Sequence, residues 1–363
     1  MDQFPICRPD ERAGLLLRSL YRRHGYLPYR MSKFEPYDLY ARNRSFLVSD
    51  QILTFTDTDG RLMALKPDVT LSIVKNAPPP GGALEKVYYS ENVYRTSSAS
   101  IGYQEIMQTG LECIGSLDLA AVGEVLTLAM ESLALLGGDY LLNLGHAGLV
   151  AGLLEDLEAG VQAGLLRELG RKNAAALSAL CAQAGVSHDL AQRLAALCRL
   201  YGEPEAALPQ LRQLVSGRQA RSALEELEGL CAILGRQGLL GRLRLDFSIA
   251  NDMRYYNGII FRGYLPGLAS GVLAGGRYDN LLRRMGKSGG AVGFAVYLDQ
   301  LERLDAGSDY DVDALLLYGE GDDPAAVAGR AAALRLGGRS VRVERSIPQG
   351  LRCRELIRFG EEA

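Results

Sequence analysis

The run SIANDMRYYNGIIF, residues 248–261, has the makings of a binding segment. It alternates like a strand, carries two adjacent tyrosines and an Asn-Gly turn signal, and opens on Asn251 and Asp252, neither of which can neutralise an anion. Neighbours in a strand point to opposite faces, so one of Tyr255 and Tyr256 is expected in the core and the other, Tyr256, in a site. The same alternation sends Arg254 to the face opposite Asn251. Gln108 and Glu112 lie four apart in the strand-like YQEIMQTGLECIG and share a face, which for an isolated pair is ordinarily a solvated one. Asp68 and Thr70, in PDVTLSIVKN, have the side chains that cap a helix start. Arg95, in VYYSENVYR, suits a surface ion pair or an anion contact. His24, His146 and His188 sit on or beside helical runs with no carboxylate, Ser or Cys partner legible nearby, which points to structural roles. No phosphate-binding loop or dinucleotide fingerprint is present.

The elements that must position these residues follow from periodicity. RPDERAGLLLRSLYRRHGY reads as a helix stopped at Gly25, and QILTFTDTDGRLMALKPDV as a hairpin turning at Asp59-Gly60. LEKVYYSENVYR and YQEIMQTGLECIG read as strands, DLAAVGEVLTLAMESLALLG as an amphipathic helix from Asp118, and YLLNLGHAGL as a strand. Residues 147–240 are Leu-, Ala- and charge-rich with breaks at Gly185, Gly202-Pro204 and Gly217, a helical block. Strand character returns at LRLDFSIANDMRYYNGIIFRGY and continues through LAGGRYDNLL and GGAVGFAVYLDQL; residues 310–363 read strand, helix, strand and a tail. Hairpins, a helical block, then more hairpins argue for an α+β protein on a largely antiparallel sheet. With 363 residues, 48% apolar and 23% charged, the chain can bury a sizeable core, and its net charge of −3 gives no basic field to attract nucleic acid. No basic-then-apolar leader and no run of about 20 apolar residues is legible, so a cytoplasmic, non-membrane protein is expected. Cys7, Cys113, Cys181, Cys198, Cys231 and Cys353 show no C-x-x-C spacing, and buried free thiols are expected rather than a disulfide or metal framework.

Five stretches in this order resemble the histidyl-tRNA synthetases, over about residues 5–305. FTDTDGRLMALKPDVTLSI (55–73) resembles the family's hairpin and Arg-Pro-Glu-Gly-Thr segment, and VYYSENVYRTSSASIGYQEIMQTGLECIG (87–115) its second class motif with Arg95. MRYYNGIIF and LAGGRYDNLL resemble the two histidine-specific motifs, and GGAVGFAVYLDQL the third class motif. The resemblance implies a class II aminoacyl-tRNA synthetase-like antiparallel sheet flanked by helices. The core would be 1–146 and 241–308, with a helical insertion at 147–240 and a truncated anticodon-binding-like βαβ remnant at 309–363. It also implies that Asp68, Thr70, Gln108, Glu112, Tyr256 and Tyr278 hold histidine and that Arg95 is an anion contact. The first helix and the aromatic stretch after it match the class dimer motif, so a homodimer core is expected.

The departures matter as much. By motif position, Asn251 stands where the synthetases carry the arginine of the reacting carboxylate and α-phosphate, Gln300 where they carry the γ-phosphate arginine, and Ser97 where an acid helps hold adenine. Adenylation builds negative charge that such cations stabilise, and losing one typically costs about two to three orders of magnitude in rate. A retained amino-acid pocket with lost activation chemistry resembles the regulatory subunits of ATP phosphoribosyltransferase. That resemblance implies no catalytic residue, no cofactor and no metal. It implies a short-form catalytic subunit as partner in a hetero-oligomer, free histidine as effector, and no tRNA partner. A divergent histidyl-tRNA synthetase, or a synthetase-like module with another partner, are the alternatives.

Overall fold

A computed structural model describes residues 8–47, 51–77, 84–96, 102–250, 255–303 and 310–361. In chain order the elements are α1 (Pro9–Arg23), β1 (Leu27–Pro28), β2 (Phe34–Pro36), α2 (Tyr37–Arg42), β3 (Thr54–Thr56), β4 (Leu62–Leu65), α3 (Thr70–Asn76), β5 (Glu85–Thr96), β6 (Tyr103–Gly115), α4 (Leu119–Gly137) and β7 (Leu141–His146). The helical block follows as α5 (Ala147–Leu154), α6 (Ala159–Gly170), α7 (Ala174–Gln183), α8 (His188–Arg199), β8 (Tyr201–Gly202), α9 (Pro204–Leu214) and α10 (Arg218–Arg236). Then come β9 (Leu243–Asp246), β10 (Ile259–Tyr264), β11 (Leu273–Arg277), α11 (Asp279–Arg284) and β12 (Gly290–Tyr297), and last β13 (Val312–Leu317), α12 (Pro324–Leu336), β14 (Val341–Glu344) and β15 (Cys353–Arg358). The chain divides into two compact units, 1–304 and 305–363.

Local chemistry sets these boundaries. Pro9 opens α1, Asp10 and Glu11 occupy its first turn, and Arg22 and Arg23 its last, matching the helix dipole at both ends. The Asp118 carboxylate accepts the Ala121 N–H at 2.8 Å to start α4. In the β3–β4 turn, Asp57 Oδ1 accepts the N–H groups of Asp59 and Arg61, both at 2.9 Å, while Gly60 takes a φ of +77°.

In the larger unit the main sheet runs β1-β5-β6-β12-β11-β10-β7-β9-β8, antiparallel except at the β1–β5 and β7–β9 pairs; β2, β4 and β3 form a second, three-stranded sheet. Residues alternate between two cores. Leu111, Cys113, Phe294 and Phe261 pack with α1, α4 and the helical block. Val87, Tyr89, Ile114 and Ala291 face the other way, toward α3, Tyr278 and α11. In the smaller unit β14, β13 and β15 are parallel, so the expected C-terminal tail is a third strand.

Two sequence expectations change. α4 is 19 residues long with a mean hydropathy of 1.7, long and apolar enough to cross a membrane, where the sequence reading found no such run. Eleven of its residues are buried in the core, which accounts for that composition. Nor is 243–264 one strand. β9 ends at Asp246, whose Oδ1 accepts both the N–H and the Oγ–H of Ser248, at 2.9 and 2.7 Å, turning the chain into a 3-10 turn at Phe247–Ile249. Among the described residues the ladder resumes at Ile259. Cys113, Cys181, Cys198 and Cys231 are buried free thiols and Cys353 is half-buried; Cys7 lies outside the described residues.

Asp246 also anchors the helical block. Its Oδ2 accepts from Asn143 at 3.1 Å and from Lys172 at 2.9 Å, and the Lys172 ammonium sits 4.5 Å from the centre of the Tyr201 ring. Lys172 is the one non-glycine described residue in the left-handed region, at φ +54°, a conformation that costs about 1–2 kcal/mol. Holding it there requires a compensating contact, and the buried carboxylate is that contact. Asp246→Ala leaves the Asn143 amide and the Ser248 N–H without their acceptor. It is expected to cost about 3 kcal/mol, read as a lowered midpoint of denaturant unfolding.

Candidate functional site

The sheet register assembles a cavity of about 190 Å³ on the α3 side of the large sheet. Across that face, Ile260, Gly276, Gly293 and Glu112 stand in one row, and Arg262, Ala274, Ala295, Gly110 and Tyr89 in the next. Glycine and alanine therefore pave the floor, and each gap is filled by a neighbour. A methyl group on Gly293 would overlap the Glu112 carboxylate and the Leu111 carbonyl, and one on Gly276 would stand 2.6 Å from the Tyr256 ring. These close approaches are the reason for glycine here.

The acidic end of the cavity is built on Glu112, only 2% exposed. Thr70, at the first turn of α3, donates to its Oε1 at 2.7 Å, and the Tyr278 hydroxyl donates to its Oε2. Burial pushes the Glu112 carboxyl up to about 8; the two hydrogen bonds oppose that shift and the charge of Asp68 adds to it. Asp68, half-buried at the cavity wall, accepts the Leu71 N–H at 2.8 Å and so caps α3 while facing the cavity. Burial raises its carboxyl as well, against the backbone N–H groups and the nearby Arg95. Tyr255, Tyr256, Tyr278 and Phe46 make an aromatic wall, with ring centres 4.7 Å apart for Tyr255–Tyr256, 5.5 Å for Tyr255–Tyr278 and 6.0 Å for Phe46–Tyr255.

The opposite end is basic. Arg95, 8% exposed, lies over the Tyr297 ring with its guanidinium 5.8 Å from the ring centre. Arg262 projects from β10 at the cavity rim, and Gln108 is buried in the row of Tyr297. The cavity thus offers acceptors at one end, ring faces along its length and cations at the other. That arrangement fits a small zwitterion with a flat ring, and none of the described lining residues is a Ser, Cys or His.

Asp68, Thr70, Arg95, Gln108, Glu112, Tyr256 and Tyr278 all line this one cavity. Gln300 does not; its Oε1 accepts from the Ser270 hydroxyl at 2.9 Å. Asn251, Arg254 and Ser97 lie outside the described residues. The division of Tyr255 and Tyr256 between core and site is overturned. Both line the cavity, because residues 255–258 precede the strand and do not alternate as one. Arg262 belongs to none of the motifs, yet alternation from Ile260 along β10 puts it on the cavity face.

Two of the three histidines also look different in the fold. His146 Nδ1 accepts the Leu149 N–H at 3.3 Å, so its Nε2 carries the proton toward Glu226 Oε2 at 3.2 Å. Glu226 meets Arg277 at 3.3 Å, and Arg277 Nε contacts both Asp279 oxygens at 3.1 and 3.0 Å. Burial pushes the Glu226 carboxyl up, but His146 and Arg277 together carry it below its ordinary range. Asp279 further accepts the Ala291 N–H at 3.0 Å, so this buried chain fixes the backbone on either side of Tyr278. His24 lies 3.4 Å from Glu131. These partners are 80 and 107 residues away in the chain, beyond any local reading.

The family model described as histidyl-tRNA synthetase matches residues 10–301. The ATP phosphoribosyltransferase regulatory subunit of Moorella thermoacetica is 33% identical over 348 residues, 92% of this chain and 88% of that one. The crystal structure of an ATP phosphoribosyltransferase regulatory subunit/histidyl-tRNA synthetase from Bacillus halodurans superposes with a TM-score of 0.76 at 25% identity, over 96% of this chain and 93% of that one. An ATP phosphoribosyl transferase complex from Thermotoga maritima contains a chain of like fold, with a TM-score of 0.62 at 21% identity over 80% of this chain and 97% of that one.

Proposed function

Because this chain belongs to the ATP phosphoribosyltransferase regulatory subunits, within the histidyl-tRNA synthetase family, we propose that it is a non-catalytic sensor of free histidine, acting on a separate short-form catalytic subunit. The observation that carries the sensing role is the Thr70–Glu112–Tyr278 cluster at the end of an aromatic slot. Glu112 and Asp68 suit the ammonium or an imidazole N–H, Tyr256 and Tyr278 the ring, and Gln108 the polar edge of the ligand. Allosteric control requires histidine to bind two states of the assembly with different affinity, and that difference sets the size of the inhibition.

Recognition without activation is the second half of the proposal. Gln300 is a neutral amide engaged with Ser270 and outside the cavity, and residue 251 is asparagine. With neither arginine, the charge built up in nucleotidyl transfer has only part of its usual stabilisation. The chain is therefore expected to catalyse no histidine-dependent exchange of pyrophosphate into ATP. Turnover in that assay would favour the divergent synthetase instead. The same proposal places the chain in the cytoplasm as a homodimer within a hetero-oligomer, with no membrane or tRNA partner. It treats 147–240 as an insertion in the synthetase-like core and 309–363 as an anticodon-binding-like remnant. Its test is co-purification with a short-form phosphoribosyltransferase followed by assay with and without this chain. Activity that depends on the chain is expected; equal activity without it would overturn the assignment.

A further inference from the structure

The histidine pocket faces a charge problem, since an amino acid brings a carboxylate and the synthetase arginine at position 251 is missing. The geometry points to Arg262 as the replacement, an inference that rests on the histidine-sensing reading and deepens it. We infer that Arg262, aided by Arg95, binds the ligand's α-carboxylate above the Ala295–Tyr297 stretch of β12.

Three observations converge on that stretch. First, Arg262 is in register with Ala274, which is in register with Ala295, so only methyl groups lie between the arginine's Cα and the cavity floor. A long side chain can extend across that row unobstructed. Second, Arg95 approaches the same stretch from the opposite side, since its guanidinium lies over the Tyr297 ring, two residues beyond Ala295. Third, both line the cavity; Arg262 makes no hydrogen bond or ion pair with a described residue, while Arg95 acts on Asp68 and opposes the rise of its carboxyl. Glu112 is engaged with Thr70 and Tyr278, and Asp68 accepts from the start of α3 besides facing Arg95. Arg95 is nearly buried, and a cation in that position gains from an anionic partner. The pocket is therefore polarised end to end, and Arg262 belongs to the end a carboxylate would occupy.

Binding of histidine and of histidinol, in which a hydroxymethyl group replaces the carboxylate, tests the assignment by calorimetry on the full chain. Wild type is expected to prefer histidine by about tenfold or more, the usual worth of a charge-assisted contact. Arg262→Ala is expected to bring histidine down to the histidinol level and leave histidinol unchanged, and Arg262→Lys to recover part of the preference. Arg262 is exposed, so the variants should fold, and an unshifted melting curve checks this. A preference unaltered in Arg262→Ala, or an equal loss for both ligands, would overturn the role of Arg262 alone. If wild type binds neither ligand, the sensing reading fails and this one with it.

Discussion

Gly293→Ala is expected to weaken histidine binding about a hundredfold while leaving a folded chain. Gly293 and Glu112 are directly opposed across β12 and β6, and Glu112 folds its carboxylate over the glycine. A methyl group there takes the space of that carboxylate and presses on the Leu111 carbonyl. Glu112 must swing away, and its bonds to Thr70 and Tyr278 break together. Gly293 is not in the left-handed region, so its φ tolerates a side chain, but the Leu111 carbonyl must shift to admit the methyl group. The conflict is one of volume, and overpacking of this kind costs about 1–3 kcal/mol. That is a fraction of the usual stability of about 5–15 kcal/mol, so most molecules stay folded. Losing a charge-assisted contact and the slot's shape should lower histidine affinity by about two orders of magnitude. Calorimetry beside a melting curve reads both effects, and unchanged affinity would mean that Glu112 is not in the ligand's shell.

The second large effect is on pH dependence. Burial holds the Glu112 carboxyl at about 8, so in the free protein at pH 7 the group is mostly protonated. A cationic partner requires the carboxylate, so binding should release a proton, and affinity should rise with pH up to about 8 and then level off. Glu112→Gln keeps the shape and one acceptor but no charge. It should bind about ten- to a hundredfold more weakly at pH 8.5 and show a flat profile over the same range. The stability linkage has a definite sign. The folded value lies above the unfolded one, so Glu112 favours the fold most at low pH and that advantage is lost between about 4.5 and 8. Between pH 5 and 9 the melting temperature of wild type should therefore fall relative to Glu112→Gln. Calorimetry in buffers of different ionisation enthalpy counts the released proton, and a count of zero would remove Glu112 from the binding event.

How much of this was legible in the sequence depended on the range of the interactions. The Asp59-Gly60 turn, the Asp118 cap and the alternation of β5 and β6 are local devices, whereas only the family resemblance pointed to Asp68, Thr70, Gln108, Glu112, Tyr256 and Tyr278 as one group, and they line one cavity. The path of 243–264 was not legible, because an Asx turn at Asp246 interrupts a run whose composition is strand throughout. That interruption hid Tyr255. Arg262 carries no motif signal, because β10 supplies this cation to the cavity eleven positions after the arginine site at 251. The His146–Glu226–Arg277–Asp279 chain joins three separate stretches and could be read only from the fold.

Regulation of the partner by histidine requires that the ligand act through this pocket. The direct measurement is histidine inhibition of phosphoribosyl transfer by a short-form catalytic subunit assembled with wild-type chain or with Gly293→Ala. The wild-type assembly should be active and inhibited by histidine, and the Gly293→Ala assembly should be active and insensitive to it. Equal inhibition of the two assemblies would contradict the account.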